Sequence, residues 1–291
     1  MSADLVLQLI ANGVSVGLGY ALAAVGLALL FGILEQVNFA HGELYMLAAF
    51  VVWWLVQMVG LPYPAAAALA IAAMACAGVL FARVALVPTL DRSADAAILA
   101  TLAVSVILQN AVRLVFGATP HSMSTPLEGM TLLVGGVLLF GQRLLVAGAA
   151  VVAFLGLTLF LRLTSIGQAM RAMAQNKRAC VMVGIDVRRI TGWTAAISAA
   201  LTGFAAATIA PLFDLYPSMG GDVVFKSFAV VIIGGMGNIA GAAVAGVALG
   251  IAEALVGGYL GSAFKDGIAF AAMILVLLVR PHGLFGRAVR V

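Results

Sequence analysis

Polar side chains that could do chemistry are few in this sequence, and they interrupt long apolar runs. The stretch Glu35-Gln36-Val37-Asn38-Phe39-Ala40-His41-Gly42-Glu43 contains two carboxylates and an imidazole. A second interruption, Gly234–Gly241, is rich in glycine and contains one amide, and Glu253 stands alone in a later apolar run. A carboxylate at membrane depth is a functional candidate by default, normally paired or facing a wet cavity.

The two interruptions and the lone carboxylate form one candidate set for a translocation pathway. Irregular backbone at membrane depth persists only where it lines a cavity or is covered by protein. Interrupted helices in the two halves of a transporter often mark its transport path. The predicted pathway residues are Asn38, His41, Glu43, Gly234, Gly235, Gly237, Asn238 and Glu253.

Each of these features also has a plainer interpretation. Residues 35–43 fit a cytoplasmic hairpin equally well. The glycines of Gly234–Gly241 are better explained by close helix packing, which small residues permit in membranes. Glu253 is explained by pairing with Lys226 or Lys265.

No residue constellation indicates an enzyme, a metal site or a bound cofactor. A phosphate-binding Walker A loop needs Gly-Lys-Ser/Thr, but the three lysines follow Asn176, Phe225 and Phe264. The three histidines fall in separate segments without metal-ligand spacing. A Gly-x-Ser-x-Gly nucleophile motif is absent.

Composition places these residues in a membrane protein. Charged residues make up 9% of the 291, hydrophobic residues make up 64%, and the mean hydropathy is +1.19. A soluble domain carries roughly a quarter charged residues. The net charge of +4 lies in a few connections between apolar tracts, which argues against a nucleic-acid partner.

The apolar tracts predict an all-α, polytopic membrane protein with about eight or nine spans, some of them interrupted. A span needs roughly 20 apolar residues. The whole chain, 1–291, is expected to form one transmembrane domain, and the region of Gly234–Gly241 is either two crossings or one broken helix. The predicted spans lie near 5–31, 40–60, 65–87, 96–115, 144–162, 190–211, 223–236, 239–258 and 265–280.

Basic residues predict the orientation. Eleven of the 15 lysines and arginines fall in three connections, near 83–92, 162–189 and 280–290. Short loops rich in Lys and Arg stay in the cytoplasm. The N-terminus is therefore predicted outside and the C-terminus, with Arg280, Arg287 and Arg290, inside.

The longest polar connection, 165–189, is predicted to be a cytoplasmic loop with two short helices. Gln168–Gln175 places two methionines and Ala174 on one face, and Asn176 caps a second helix that Gly184 ends. Such a pair suits docking into a groove of a cytoplasmic partner, and anchoring to anionic lipid is the alternative. The candidate docking residues are Met170, Arg171, Met173, Asn176, Lys177, Arg178 and Gly184.

Several short motifs, in order, resemble one family nearly end to end. The chain resembles the permeases of branched-chain amino acid ABC importers, and specifically the smaller of their two homologous permease subunits. The motifs are Gly19-Tyr20-Ala21-Leu22, Asn38-Phe39-Ala40-His41-Gly42-Glu43, Met170-Arg171-Ala172, Gly184-Ile185, Lys226-Ser227-Phe228, Glu253-Ala254, Phe264-Lys265-Asp266 and Arg280-Pro281-His282-Gly283-Leu284-Phe285-Gly286.

This resemblance implies a multi-pass subunit in the plasma (inner) membrane of a prokaryote. The implied partners are a homologous second permease subunit, two cytoplasmic ATP-binding subunits that use the ATP, and an extracytoplasmic substrate-binding protein. Residues 165–189 would be the coupling helix region. The motifs do not fix the substrate, because related importers handle amides, urea and aromatic acids. They also leave open whether the permease pairs with a paralogue or with itself. The alternative function is a self-sufficient secondary transporter or channel.

Overall fold

The computed structural model describes residues 3–125, 127, 129–134 and 137–286 as a bundle of α-helices with one small hairpin. The helices are α1 (Ala3–Leu34), α2 (His41–Gln57), α3 (Tyr63–Phe81), α4 (Ala94–Phe116), α5 (Gly141–Leu163), α6 (Ser165–Gln175), α7 (Lys177–Met182), α8 (Val187–Ile209), α9 (Met219–Gly234), α10 (Ile239–Tyr259) and α11 (Lys265–Val279). A π-helical turn (Ala82–Leu86) and a 3₁₀ turn (Val87–Thr89) extend α3, and further 3₁₀ turns lie at Ala210–Leu212 and Ser262–Phe264.

Six helical stretches within the described residues are long and apolar enough to cross a membrane, which confirms a polytopic helical membrane protein. Three other apolar helices, α2, α9 and α11, are shorter, with 17, 16 and 15 residues. The six stretches are Leu5–Leu34, Tyr63–Thr89, Ala94–Phe116, Gly141–Leu163, Val187–Leu212 and Ile239–Tyr259.

Helix α1 lies at the centre of the bundle, where residues 21–30 are all buried. It packs antiparallel to α10 through glycine: a methyl group on Gly17 would lie 2.6 Å from Val247 Cα, so the two backbones nearly touch. Close backbone approach at small residues is a principal means of helix association in membranes. Peripheral α4, by contrast, exposes most of its apolar surface, with Leu114 86% exposed. Such an apolar outer surface is expected where a helix faces lipid.

A two-stranded antiparallel hairpin, Thr131–Val134 and Val137–Phe140, is the one departure from the predicted all-α class among the described residues. The side chain of Gln8 binds it to the start of α1, donating to Leu138 O at 3.0 Å and accepting from Leu138 N at 2.8 Å. This side of the bundle is called the hairpin end below. The opposite side, which holds α6 and α7, is called the α6–α7 end.

The chain enters at one end of the bundle and leaves at the other. Gln8 is bound to the hairpin, whereas Phe285 N donates to Gly234 O at 3.2 Å beside the last residues of α1. Arg287 and Arg290, which supported the predicted position of the C-terminus, lie outside the described residues.

Helices α9 and α10 form a hairpin, which excludes one of the two predicted alternatives for this region. Gly234 and Gly241 face each other across it, since a methyl group on Gly234 would lie 2.5 Å from Gly241 O. Gly235 and Gly237, with φ of 101° and 81°, make the connecting turn. Residues 234–241 are therefore a reversal between two helices and not one broken helix.

Candidate functional site

Helix α2 begins inside the bundle and not at its end. Its first residue, His41, lies beside Ala23, with Nε2 2.8 Å from Ala23 O. Ala23 precedes the end of α1 by eleven residues, or about 16 Å at the 1.5 Å rise of a helix. Residues 35–40 therefore turn back from the α6–α7 end and run into the bundle before α2 starts.

Side chains from neighbouring elements hold this returning segment. Gln36 donates to Thr89 Oγ1 at 3.3 Å, and Phe39 N donates to Thr101 Oγ1 at 3.3 Å. Asn38 Oδ1 accepts from Ala40 N at 3.0 Å. Asn38 is fully buried, so the segment is not the plain solvent-exposed hairpin that was one of the predicted alternatives.

His41 is fully buried and joins α2 to α1 and α8. Since the Ala23 carbonyl can only accept a hydrogen bond, Nε2 must carry a hydrogen. Nδ1 lies 3.5 Å from Thr202 Oγ1, whose own hydrogen is donated to Ser198 O at 2.8 Å. The sequence predicted His41 in the pathway, and the structure shows that its Nε2 is bonded to the Ala23 carbonyl of α1.

Glu43 lies in the first turn of α2 and is 4% exposed. Its Oε1 accepts from Ser105 Oγ at 3.2 Å. Its Oε2 has no hydrogen-bond partner among the described residues and lies directly against Gly220. A buried carboxylate oxygen without a donor is costly, so this group requires an explanation.

The first turns of α2 and α9 meet at Gly42 and Gly220. A methyl group on Gly42 would overlap the Gly220 carbonyl oxygen and lie 2.9 Å from Val224 Cβ. Neither helix has a side-chain N-cap, since Ala40 and Ser218 make no capping hydrogen bond. Two uncapped helix N-termini thus converge beside the Glu43 carboxylate. We call the contact between residues 36–43 and α9 the seam.

The seam is covered toward both ends of the bundle. Toward the hairpin end, His121 and Leu215 form a backbone bridge with N···O distances of 2.9 and 2.7 Å, and the Trp53 ring packs on the His121 ring at 4.3 Å. Phe39 packs on Phe228 at 5.1 Å in the part of the seam that leads toward the α6–α7 end. The structure is therefore a closed state of the seam.

The second predicted interruption lies against the last turns of α1. A methyl group on Gly237 would lie 2.7 Å from Gly32 Cα. Asn238 caps α10 by accepting from Gly241 N at 2.9 Å, and its Nδ2 donates to Phe285 O at 2.8 Å. Close packing and capping account for Gly234, Gly235, Gly237 and Asn238, which is the interpretation that the sequence favoured for them.

Glu253, the lone carboxylate, pairs with Lys226, as one of its predicted interpretations held. The ion pair joins α10 to α9, and the Glu253 side chain is 5% exposed. Tyr20 of α1 donates to Glu253 Oε2 at 2.6 Å. Three helices are thus tied together by one buried charged cluster.

The predicted helices of the 165–189 loop are confirmed as α6 and α7. Asn176 caps α7 by accepting from Ala179 N at 2.9 Å, and Gly184 follows α7 with a φ of 81°. Lys177 is anchored to Asp91 at 3.3 Å.

The apolar face predicted for docking does not face outward in this structure. Met170 and Met173 are 0% and 3% exposed, because they pack into the bundle, and only Ala174 of that face is open. The exposed apolar side chains lie on and just after α7 instead: Val181, Met182 and Val183, with Arg171 and Arg178 also exposed.

Sequence reasoning missed Gly220 of the seam, and it missed Thr101 and Ser105 of α4, which bond to Phe39 and Glu43. Single hydroxyls and a Gly-Gly pair in apolar helices give little local signal. Ser227 was noted only as part of a family motif, and it proves to be buried with its hydroxyl unpartnered among the described residues.

The long apolar helices show a polytopic membrane protein, and helices such as α2 and α9 that begin inside the bundle are typical of membrane transporters. The sequence matches the family model for the branched-chain amino acid transport system permease component over residues 9–277, and the chain belongs to this family.

Relatives match over almost their full length. The high-affinity branched-chain amino acid transport system permease protein LivH of Escherichia coli (strain K12) is 33% identical over 97% of this chain and 96% of its own. BraD of Pseudomonas aeruginosa, named for the same system, is 34% identical with the same coverage. The probable branched-chain amino acid transport permease protein LivH of Methanocaldococcus jannaschii is 31% identical over 91% of this chain and 88% of its own.

A solved structure shares the fold. PsaBC from Streptococcus pneumoniae in complex with Fab superposes with a TM-score of 0.52, covering 94% of this chain and 93% of that chain. Sequence identity is 8%, so this likeness concerns the fold alone.

Proposed function

We propose that this chain is the transmembrane permease subunit of an ATP-driven ABC importer for branched-chain or related small amphiphilic amino acids. The observation that carries the proposal is the near full-length match to permeases named for branched-chain amino acid transport. The chain itself supplies the membrane passage, and ATP is bound and hydrolysed by other subunits.

The proposed assembly contains a homologous second permease subunit, two cytoplasmic ATP-binding subunits and an extracytoplasmic substrate-binding protein. Membership of a transport-system family whose members are permease components supports separate partner subunits. The chain lacks a Walker A motif, which supports placing ATP hydrolysis on other chains.

The proposed setting is the plasma membrane of a prokaryote, with the α6–α7 end in the cytoplasm and the hairpin end outside. The basic residues near 83–92 and 162–189 lie at the α6–α7 end, which is the side that short basic loops occupy. In this orientation the N-terminus is outside and the C-terminus inside. Nine apolar helices then form the bundle, with α2 and α9 starting within it.

The 165–189 loop is the proposed coupling loop within a single permease domain. Its exposed surface combines Arg171 and Arg178 with the apolar residues Val181, Met182 and Val183. Exposed apolar side chains beside charged ones are typical of an interaction site. Asn176, Lys177 and Gly184 support this surface by capping, anchoring and ending α7, and Met170 and Met173 fix α6 to the bundle.

Reconstitution tests the proposal. The chain is placed in liposomes with its proposed partner proteins, and uptake of radiolabelled L-leucine is measured with ATP supplied on the cytoplasmic side. ATP-dependent uptake that requires the binding protein is expected. Uptake that continues without ATP but is abolished when the membrane potential is collapsed would instead indicate a secondary transporter.

A further inference from the structure

The buried polar atoms without a partner are concentrated in one place. Among the described side chains, four buried nitrogen or oxygen atoms make no hydrogen bond: Gln36 Oε1, Asn38 Nδ2, Glu43 Oε2 and Ser227 Oγ. Three of them lie within residues 36–43. The fourth, Ser227, lies on α9 and precedes Phe228, whose ring packs on the Phe39 ring across the seam.

Such a concentration has a physical cost. A buried polar group that loses its water without gaining a partner destabilises the folded state by about 1–3 kcal/mol. Native proteins satisfy almost all such groups. Four such atoms on residues 36–43 and α9 are therefore an energetic cost that a second arrangement of these segments, or a bound polar molecule, would remove.

The seam contains groups that favour an anion beside a group that favours a cation, and a zwitterion has both charges. The first turns of α2 and α9 meet there without side-chain caps, so their helix dipoles favour an anion. In α9, Met219 N and Gly221 N already donate to Tyr216 O and Ser218 O, at 3.0 and 3.2 Å. Glu43, with its carboxylate against Gly220, favours a cation in the same place. An α-amino acid carries a carboxylate and an ammonium group on neighbouring atoms, and it fits this pair of preferences.

We propose that the seam opens during transport to form a transient binding site for the headgroup of an α-amino acid. The uncapped N-termini of α2 and α9 bind the α-carboxylate, and Glu43 binds the α-ammonium group. Asn38 and Ser227 supply further hydrogen bonds, and Phe39 and Phe228 offer an apolar surface to the aliphatic side chain. This inference rests on the proposed function, which it deepens by naming the groups that the passing substrate contacts.

A glycine in the first turn of α9 suits such an opening. In this structure the backbones of Gly42 and Gly220 are in contact, so a ligand enters only after they separate. Gly221 has open space around it, and it can absorb the backbone rotation that a hinge requires.

The first arm of the test is L-leucine uptake by the reconstituted complex carrying Glu43→Gln. The amide keeps the size of the side chain and its bond to Ser105 but removes the charge. We expect uptake to fall about tenfold or more, as is typical for loss of a charge-assisted hydrogen bond, while ATP hydrolysis stimulated by the binding protein changes less than twofold. Glu43→Asp should restore part of the uptake, and Glu35→Gln, which neutralises an exposed carboxylate nearby, should leave it unchanged. Wild-type uptake by Glu43→Gln would overturn the proposal.

The second arm measures opening directly and does not depend on the substrate. Ser227→Cys is made in a Cys76→Ala, Cys180→Ala background and treated with a cationic, membrane-impermeant thiol reagent. We expect reaction only in the complex trapped with vanadate and the binding protein. Ser198→Cys is the control, because Ser198 is equally buried but donates to Gly26 O at 2.7 Å, and it should stay unreactive.

The outcomes separate the two proposals. The proposed opening is contradicted if the Ser227→Cys variant reacts in neither the untrapped nor the vanadate-trapped complex, or reacts equally in both. It is also contradicted if the Ser198→Cys control reacts as much as the Ser227→Cys variant. These results do not depend on whether the Glu43→Gln variant assembles. A wild-type complex that imports no leucine with ATP contradicts the proposed function, whereas an importing wild type with an unaffected Glu43→Gln contradicts the substrate site alone.

Discussion

At the scale of single residues, buried charge is the main energetic feature of this chain. Glu253 is held by Lys226 and Tyr20 between three helices, whereas Glu43 keeps one oxygen without a partner among the described residues. The first arrangement stabilises the fold, since each polar atom has a defined neighbour. The second leaves one buried carboxylate oxygen unsatisfied, which is the group that the proposed substrate site uses.

Lys226→Met should destabilise the protein strongly, because it leaves the buried Glu253 carboxylate without its cation. Breaking one side of a buried pair costs about 3–5 kcal/mol. The thermal midpoint in detergent should fall by roughly 6 °C or more. The double variant Lys226→Met, Glu253→Gln should recover much of this loss. Equal midpoints for the single variant and the wild type would show that the pair contributes little.

At the scale of elements, close glycine contacts decide how the helices are placed. Gly237 lies on Gly32 where the α9–α10 turn meets the end of α1. Both a left-handed φ and a close backbone contact require glycine at this position. The second glycine-rich break is therefore explained by packing.

Gly237→Ala should lower the yield and thermal midpoint of folded protein more than it lowers transport per folded molecule. Gly184→Ala is a matched control: both glycines have a φ of 81°, but a methyl group at 184 meets nothing within 4 Å. The backbone strain, about 1–2 kcal/mol, is then common to both variants, and the difference between their thermal midpoints measures the contact with Gly32. Normal stability with blocked transport would instead place Gly237 in the pathway.

Met182→Asp should uncouple ATP hydrolysis from transport. The side chain is 82% exposed, so its replacement should not disturb folding, but a carboxylate would lose water on docking against a partner. We expect ATP hydrolysis to continue while leucine uptake falls. Ser165→Asp, an exposed substitution at the start of α6, is the control and should transport normally. Coupled transport by Met182→Asp would mean that α7 does not contact the ATPase subunit.

At the scale of the whole molecule, the structure predicts that the two ends of the chain lie on opposite sides of the membrane, which can be measured in cells. Gln8 lies at the hairpin end and Gly286 at the α6–α7 end, so the chain crosses the bundle an odd number of times. This topology agrees with the distribution of basic residues.

Reporter fusions at the two termini should give opposite signals, with the N-terminal reporter active outside and the C-terminal reporter active in the cytoplasm. Cysteines introduced at Leu133 and Met182 provide an independent measurement. An impermeant reagent should label the first in intact cells and the second only in inverted vesicles. Labelling of both from the same side would refute the proposed orientation.

The sequence by itself determined the long helices of this protein. Hydrophobic length located the nine long helices to within a few residues, because transfer of each segment from water to lipid depends on its own composition. The sequence likewise predicted that Asn176 caps α7 and that Gly184 ends it, since capping involves residues within one turn of each other.

Only the tertiary structure decided how those helices pack against one another. Nothing local indicates that α2 starts beside Ala23, that Gly42 meets Gly220, or that Met170 faces inward. These contacts join residues far apart in the chain, and they depend on how whole helices pack. A sequence pattern of apolar and polar positions constrains each helix, but the choice among packing partners is made by the shapes and polar groups of all the helices together.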